Sequence, residues 1–293
     1  MVLKRLALAL GALLLAVPPL AAQKKIERRQ PLGMEGAFRV MNMVGSVVVH
    51  GWSKDTVLIR ATVAPGDQFY MGGQYTGAKM FIESANERDP KPTHLEIWVP
   101  SRVRLWVKTA TATIDVDGVD GSLDLYTVSA TVGVTGNPHE LNAEAIDGDI
   151  QIVGSPAWVR AKSASGSITL RGGSPDVELS TVSGAVKVEG GLFERTKVQT
   201  VTGNVSFAGR LDRSGAFDFD THSGSIDIAI PDKTNASFSA VAIAGTIKNG
   251  VSRTNPIVGR FGRGSELTTD TGDGGAKVSV RTFKGAVTLR RSN

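Results

Sequence analysis

Between residues 112 and 248, apolar and polar residues alternate in short runs that small residues interrupt at a nearly fixed interval. The centres of the first five interruptions are Ala112 in TATI, Ala130 in SATV, Gly148 in DGDI, Gly166 in SGSI and Gly184 in SGAV, spaced by 18 each time. The interval then relaxes through Gly203, Gly224 and Gly245. Two residues after each centre stand Ile114, Val132, Ile150, Ile168, Val186, Val205, Ile226 and Ile247. Four after stand Val116, Val134, Ile152, Leu170, Val188, Phe207 and Ile228, and five before stand Leu125, Ala143, Ala161, Leu179, Val198 and Phe219. Polar residues such as Asp115, Gln151, Thr169 and Lys187 lie between these columns. That is period-two alternation, one face in and one face out. A second glycine column (Gly118, Gly136, Gly154, Gly172, Gly190, Gly209) closes each unit.

Each unit therefore reads as strand, tight turn, strand, tight turn. One unit cannot bury its apolar face alone, whereas identical neighbours stacked on it form a continuous narrow core. The expected fold is all-β: a single-domain β-solenoid of about 18–21 residues per coil and roughly eight to ten coils, with the right-handed winding usual for parallel crossovers. The recurring glycines are expected to supply turn conformations that a Cβ would oppose. Asp147, Ser165, Ser183, Thr202 and Ser223 beside them can bond backbone groups at the corner.

The ends are less regular. FRVMNMVGSVVVHG at 38–51 carries the inward pattern (Phe38, Val40, Val47, Val49) and reads as a first coil. Residues 64–94 and 250–277 read as irregular insertions, and KVSVRTFKGAVTLRR as a final strand pair. The solenoid domain is placed at 38–293, after a leader at 23–37.

VGSVVVHGW, then EIWVPSRVRLWVKTATATIDVDG, then the serial S-G-x-I/V coils and the final KGAVTL resemble the bacterial putative-adhesin family of β-solenoid domains, of the domain of unknown function 4097 type. The resemblance covers most of the chain beyond residue 22. It implies an envelope-associated protein without an established catalytic activity, and it carries over no catalytic residues. Ala112 and Ala130 depart from the glycine usual at the turn.

The start of the chain sharpens the compartment. A basic opening (Lys4, Arg5), an apolar run from Leu6 to Val17 and small residues up to Ala22 have the layout of a secretory signal peptide. The run is short for a membrane span, so the expected mature chain is exported to the periplasm, cell envelope or exterior and has no span. The absence of cysteine excludes disulfides, a lipid-anchoring cysteine and thiolate metal sites. The charge is +5, and its basic residues are scattered apart from KKIERR at 24–29, which gives no concentrated face for nucleic acid.

Candidate chemistry is sparse. Asp115 and Asp117, and Asp147 and Asp149, are the paired carboxylates that acid/base cleavage of a sugar chain would use, but the pairs occupy different columns. His50, His94, His139 and His222 lack metal-ligand spacing, and no nucleophile elbow or phosphate loop is present. Trp98 and Trp106 fall on the outward phase. With Phe69, Tyr70 and Tyr75 they can make an aromatic platform for a partner or sugar; the 64–94 insertion can instead fold over the tryptophans as a cap. No catalytic residue, cofactor or metal is assigned. The expected function is a non-enzymatic, adhesin-like structural or interaction module facing a glycan or envelope protein. The alternative is a polysaccharide-processing β-helix enzyme.

Overall fold

The computed structural model describes residues 23–260 and 262–292; the signal peptide read at residues 1–22 lies outside the described residues. The N-terminal part consists of β1 (Lys24–Pro31), β2 (Ala37–Met41), β3 (Gly45–Trp52), β4 (Thr56–Val63), β5 (Gln68–Gln74), β6 (Gly77–Glu83) and β7 (Thr93–Pro100). The regular body follows: β8 (Arg104–Lys108), β9 (Thr113–Asp117), β10 (Ser122–Thr127), β11 (Val132–Thr135), β12 (Glu140–Ala145), β13 (Ile150–Val153), β14 (Trp158–Ser163), β15 (Ile168–Arg171) and β16 (Ser174–Thr181). The long strands β17 (Val186–Thr200) and β18 (Val205–Thr221) each bend round a corner and serve two coils. The C-terminal part holds β19 (Ile226–Ile230), β20 (Ala236–Ala242), β21 (Thr246–Asn249), β22 (Ile257–Val258), β23 (Ser265–Thr271), β24 (Ala276–Thr282) and β25 (Ala286–Arg291).

These strands form an all-β solenoid with two long parallel faces. The first face runs β6, β2, β8, β10, β12, β14, β16, the second halves of β17 and β18, then β24 and β20. The second runs β7, β3, β9, β11, β13, β15, the first halves of β17 and β18, then β19, β25 and β21. The body keeps one register: Leu123 faces Leu105 and Leu141, and Ile150 faces Val132 and Ile168. Like columns therefore stack, and the inward column residues Ile114, Val132, Ile150, Ile168, Leu125 and Leu179 are all buried. Phe193, Phe207, Phe217 and Phe219 widen the core toward the C-terminal end with edge-on rings 5.3–6.1 Å apart.

Spatial order departs from chain order at both ends. The first coil in sequence, β2–β3, lies inside the stack, between β6–β7 and β8–β9. The last coil in sequence, β24–β25, lies between β18–β19 and the outermost β20–β21. Among the described residues each face therefore has eleven parallel strands: eight coils turn at the centres named above, two more turn at Gly45 and Gly285, and β6–β7 has no glycine centre at its long corner. Antiparallel strands close the ends: β5 on β6, β4 on β7 and β1 on β4 at one end, β23 on β20 and β22 on β23 at the other. Such covering limits the edge-to-edge pairing that an open strand would invite.

From Gly148 to Gly245 the centre glycines act by close approach rather than by an unusual dihedral, whereas Gly45 and Gly285 at the end coils also have positive φ. A Cβ on Gly166 would stand 2.0 Å from the carbonyl oxygen of Gly148, and one on Gly184 1.9 Å from that of Gly166. Positive φ belongs to the second column, for example Gly136 at 140° and Gly172 at 134°. The corners are held from within by a buried hydroxyl column that includes Ser163, Thr181 and Thr221. Their oxygens accept the amides of Gly166, Gly184 and Gly224 at 2.9, 3.1 and 3.0 Å. The outer residues Ser165 and Thr202 bond the preceding coil, at Asp147 Oδ1 and the Val182 carbonyl.

Candidate functional site: an aromatic and basic groove

Alternation within β2 turns Phe38 and Val40 into the core and leaves Arg39 and Met41 outside. The same parity leaves Lys79 and Phe81 outside in β6, and Arg104, Trp106 and Lys108 in β8. Register then sets Lys79, Arg39, Trp106 and Asp124 side by side across four strands, with Phe81, Met41, Lys108 and Tyr126 as the row beside them. Successive members are one strand spacing apart, about 4.8 Å. Lys79, Arg39, Trp106, Asp124, Phe81 and Met41 line a groove of about 990 Å³ on the outer side of the first face, and Lys108 and Tyr126 lie just beyond it. Met41 and Met43 remain 41% and 45% exposed there, which is unusual for side chains of this size.

Tyr70 stands at the margin, stacked on Phe81 at 4.7 Å, and the nearby Glu83 carboxylate pushes its hydroxyl above the usual tyrosine range. A smaller cavity of about 220 Å³ continues past Trp106 to Tyr126, Asn142 and Glu144. The Lys108 ammonium lies 5.5 Å from the centre of the Tyr126 ring. Asn142 donates from Nδ2 to Asp124 Oδ1 at 3.2 Å, while its own Oδ1 has no hydrogen-bond partner among the described residues.

The five aromatic residues singled out from the sequence separate. Trp106 lines the groove and Tyr70 borders it. Trp98 lies in β7 on the second face, against His50 (ring centres 5.5 Å apart) and the Arg60 guanidinium at 5.1 Å, so the two tryptophans do not share a surface. Phe69 alternates with Tyr70 in β5 and packs against the core. Tyr75, at the hairpin turn, donates its hydroxyl to Asp55 at 2.8 Å. Sequence reasoning missed Arg39, Met41, Lys79, Phe81 and Tyr126. The outward phase of FRVM could have shown the first two; Lys79 and Phe81 sat within the stretch read as irregular.

The other candidate groups have local roles. Asp149 accepts the Ser167 amide at 2.7 Å, and Asp117 lies 4.0 Å from His50. Partial desolvation by its neighbours raises the Asp115 carboxyl above the usual range. His94 bonds Ser46 at 2.9 Å, and His222 stacks on Phe283 at 4.9 Å. Among the described residues no group of His, Asp and Glu is arranged to hold a metal. No described helix is long and apolar enough to cross a membrane.

A second groove, of about 820 Å³, lies at the other end of the same face. Several of its charges are matched from coil to coil: Asp176 with Arg195 at 2.8 Å and Glu178 with Arg160 at 3.6 Å, and beside it Asp220 with Arg281 at 3.5 Å.

Fold and surface together define a β-solenoid with a built groove on one face. Residues 157–290 match the family model Toastrack DUF4097, the family that the repeats resemble. No curated protein matches the chain. Solved structures that match the chain include a putative adhesin from Bacteroides fragilis (14% identity, 93% of this chain and 99% of that one, TM-score 0.43). A putative cell adhesion protein from Clostridium sporogenes covers 92% of this chain and 100% of its own at 9% identity and a TM-score of 0.27. A putative lipid binding protein from Parabacteroides distasonis covers 92% and 97% at 9% identity and 0.28.

Proposed function

We propose that the protein is a non-catalytic binding module of the cell envelope, exported by its N-terminal segment, which holds a glycan chain in the groove around Trp106. The observation that carries this reading is the groove's composition. Trp106 and Phe81 offer aromatic faces, which suit the apolar face of a sugar ring and give large contact area at low entropic cost. The Asp124 and Glu144 carboxylates offer acceptors for hydroxyls along the same line. These side chains project from consecutive parallel strands, a rigid support that needs little ordering on binding. At the far groove Asp176 and Glu178 are each paired with an arginine, which leaves Asp218 as the one lining carboxylate among the described residues without an ion-pair partner and no acid and base pair there.

The test is retention on isolated envelope glycans, peptidoglycan included. Wild-type protein is retained, and Trp106→Ala loses at least about tenfold in affinity, the order expected when an aromatic anchor is truncated. Trp98→Ala, on the opposite face, leaves retention unchanged. Equal retention of the Trp106 variant would overturn the placement.

A further inference from the structure

Five pairs of charged residues on the outer faces of the solenoid body join neighbouring coils. Arg160 meets Glu178, Arg171 meets Glu189, Arg195 meets Asp176, Arg281 meets Asp220 and Arg290 meets Asp227, all within 3.6 Å. The groove at Trp106 holds no such pair among the described residues, and its cations are clustered. Lys79 lies directly opposite Arg39 in the β6–β2 register, and Arg104 enters from β8. Among the described residues, none of Arg39, Lys79 and Arg104 has a carboxylate oxygen within 4.0 Å. Like charges facing each other across strands oppose folding, and Asp124, the carboxylate lining the groove, stands two strands from Arg39 with Trp106 between them.

We propose that this groove selects acidic glycans: Arg39, Lys79 and Arg104 take the carboxylate of a uronate-type sugar while Trp106 stacks on its ring. The inference rests on the glycan reading of the same groove and adds the charge class of the ligand. Arginine matches a carboxylate with two parallel hydrogen bonds, and an anion between the facing cations removes their repulsion. An anionic lipid would meet the same cations, but its acyl chains would have no use for Asp124 and Glu144 along the continuation of the groove. Acceptors beyond the cations fit a chain of hydroxylated rings.

The experiment compares oligogalacturonate with its carboxyl-reduced, neutral counterpart, titrated into the full-length protein. The acidic oligomer is expected to bind about tenfold or more tightly than the reduced one, the loss of a charge-assisted hydrogen bond being of that order. Arg39→Gln combined with Lys79→Gln brings the acidic oligomer down to the neutral level and leaves the neutral one unchanged. Lys197→Gln combined with Lys277→Gln, the same charge change at the far groove, leaves both unchanged. Equal binding of the two oligomers overturns the acidic preference and keeps the glycan reading. Binding of neither overturns both. An equal loss in the far-groove variant overturns the location. Retention on phosphatidylglycerol vesicles that depends on Arg39 and Lys79, without oligogalacturonate binding, overturns the glycan in favour of a membrane surface.

Discussion

Gly166 has the carbonyl of Gly148 against the position where a Cβ would begin, and the same contact recurs at Gly148, Gly184, Gly203 and Gly224. Alanine at 166 must push two coils apart. Gly166→Ala is therefore expected to cost at least about 2 kcal/mol, among the larger single-site effects, and to lower Tm by about 4 °C or more. Thermal unfolding followed by circular dichroism checks this; an unchanged Tm would mean that the coils stack less closely. Asp115 yields a pH effect of definite sign. Its side chain is exposed on β9, and partial desolvation by its neighbours raises its carboxyl, so the unfolded chain ionises it first and folding loses a small amount of stability as pH rises from the ordinary carboxylate range through the raised value. Asp115→Asn removes that penalty. Its Tm should exceed the wild type at pH 7 and converge with it near pH 3; a gain of equal size at both values would assign the effect to packing instead. The sequence showed that these positions were small or outward. It could not show that the centre glycines are needed for contact with the next coil, since that depends on the stacking distance.

At the scale of elements, the interleaved ends distinguish this solenoid from a simple stack. Because β25 lies between β19 and β21, removing it opens two edges at once and leaves β21 without its parallel partner. A chain ending at Lys284 is expected to lose hydrogen-exchange protection at residues 246–249, while β20, still paired with β23 and β24, and the body from 104 to 200 keep most of theirs. In a stack that followed chain order, loss of the last coil would spare its neighbours, so protection retained at 246–249 would contradict the arrangement. The repeat made the coils legible, since alternation around Ala112, Ala130 and Gly148 marks inward residues without any tertiary information. The order of the coils was not legible. Every coil carries the same inward column, so β2–β3 satisfies its core beside β8–β9 with or without β6–β7 on its other side. The site shares that limit. The outward phase of Trp106 was readable, but its grouping with Arg39, Lys79 and Phe81 exists only because β2 and β6 come to lie beside β8.

For the whole molecule, the two grooves on the first face differ in how their charge is arranged. The far groove is bordered by ion pairs between coils, exposed contacts of modest energy that help fix neighbouring side chains. The groove at Trp106 holds half-buried aromatics, exposed methionines and three cations, Arg39, Lys79 and Arg104, with no carboxylate oxygen within 4.0 Å among the described residues. The most direct measurement mixes the purified protein with envelope glycans and records retention and newly released sugar ends in the same tubes, for wild type and Trp106→Ala. The account predicts retention without release, and loss of retention in the variant. Sugar ends released in proportion to wild-type protein would contradict it and direct attention to the carboxylates of the far groove.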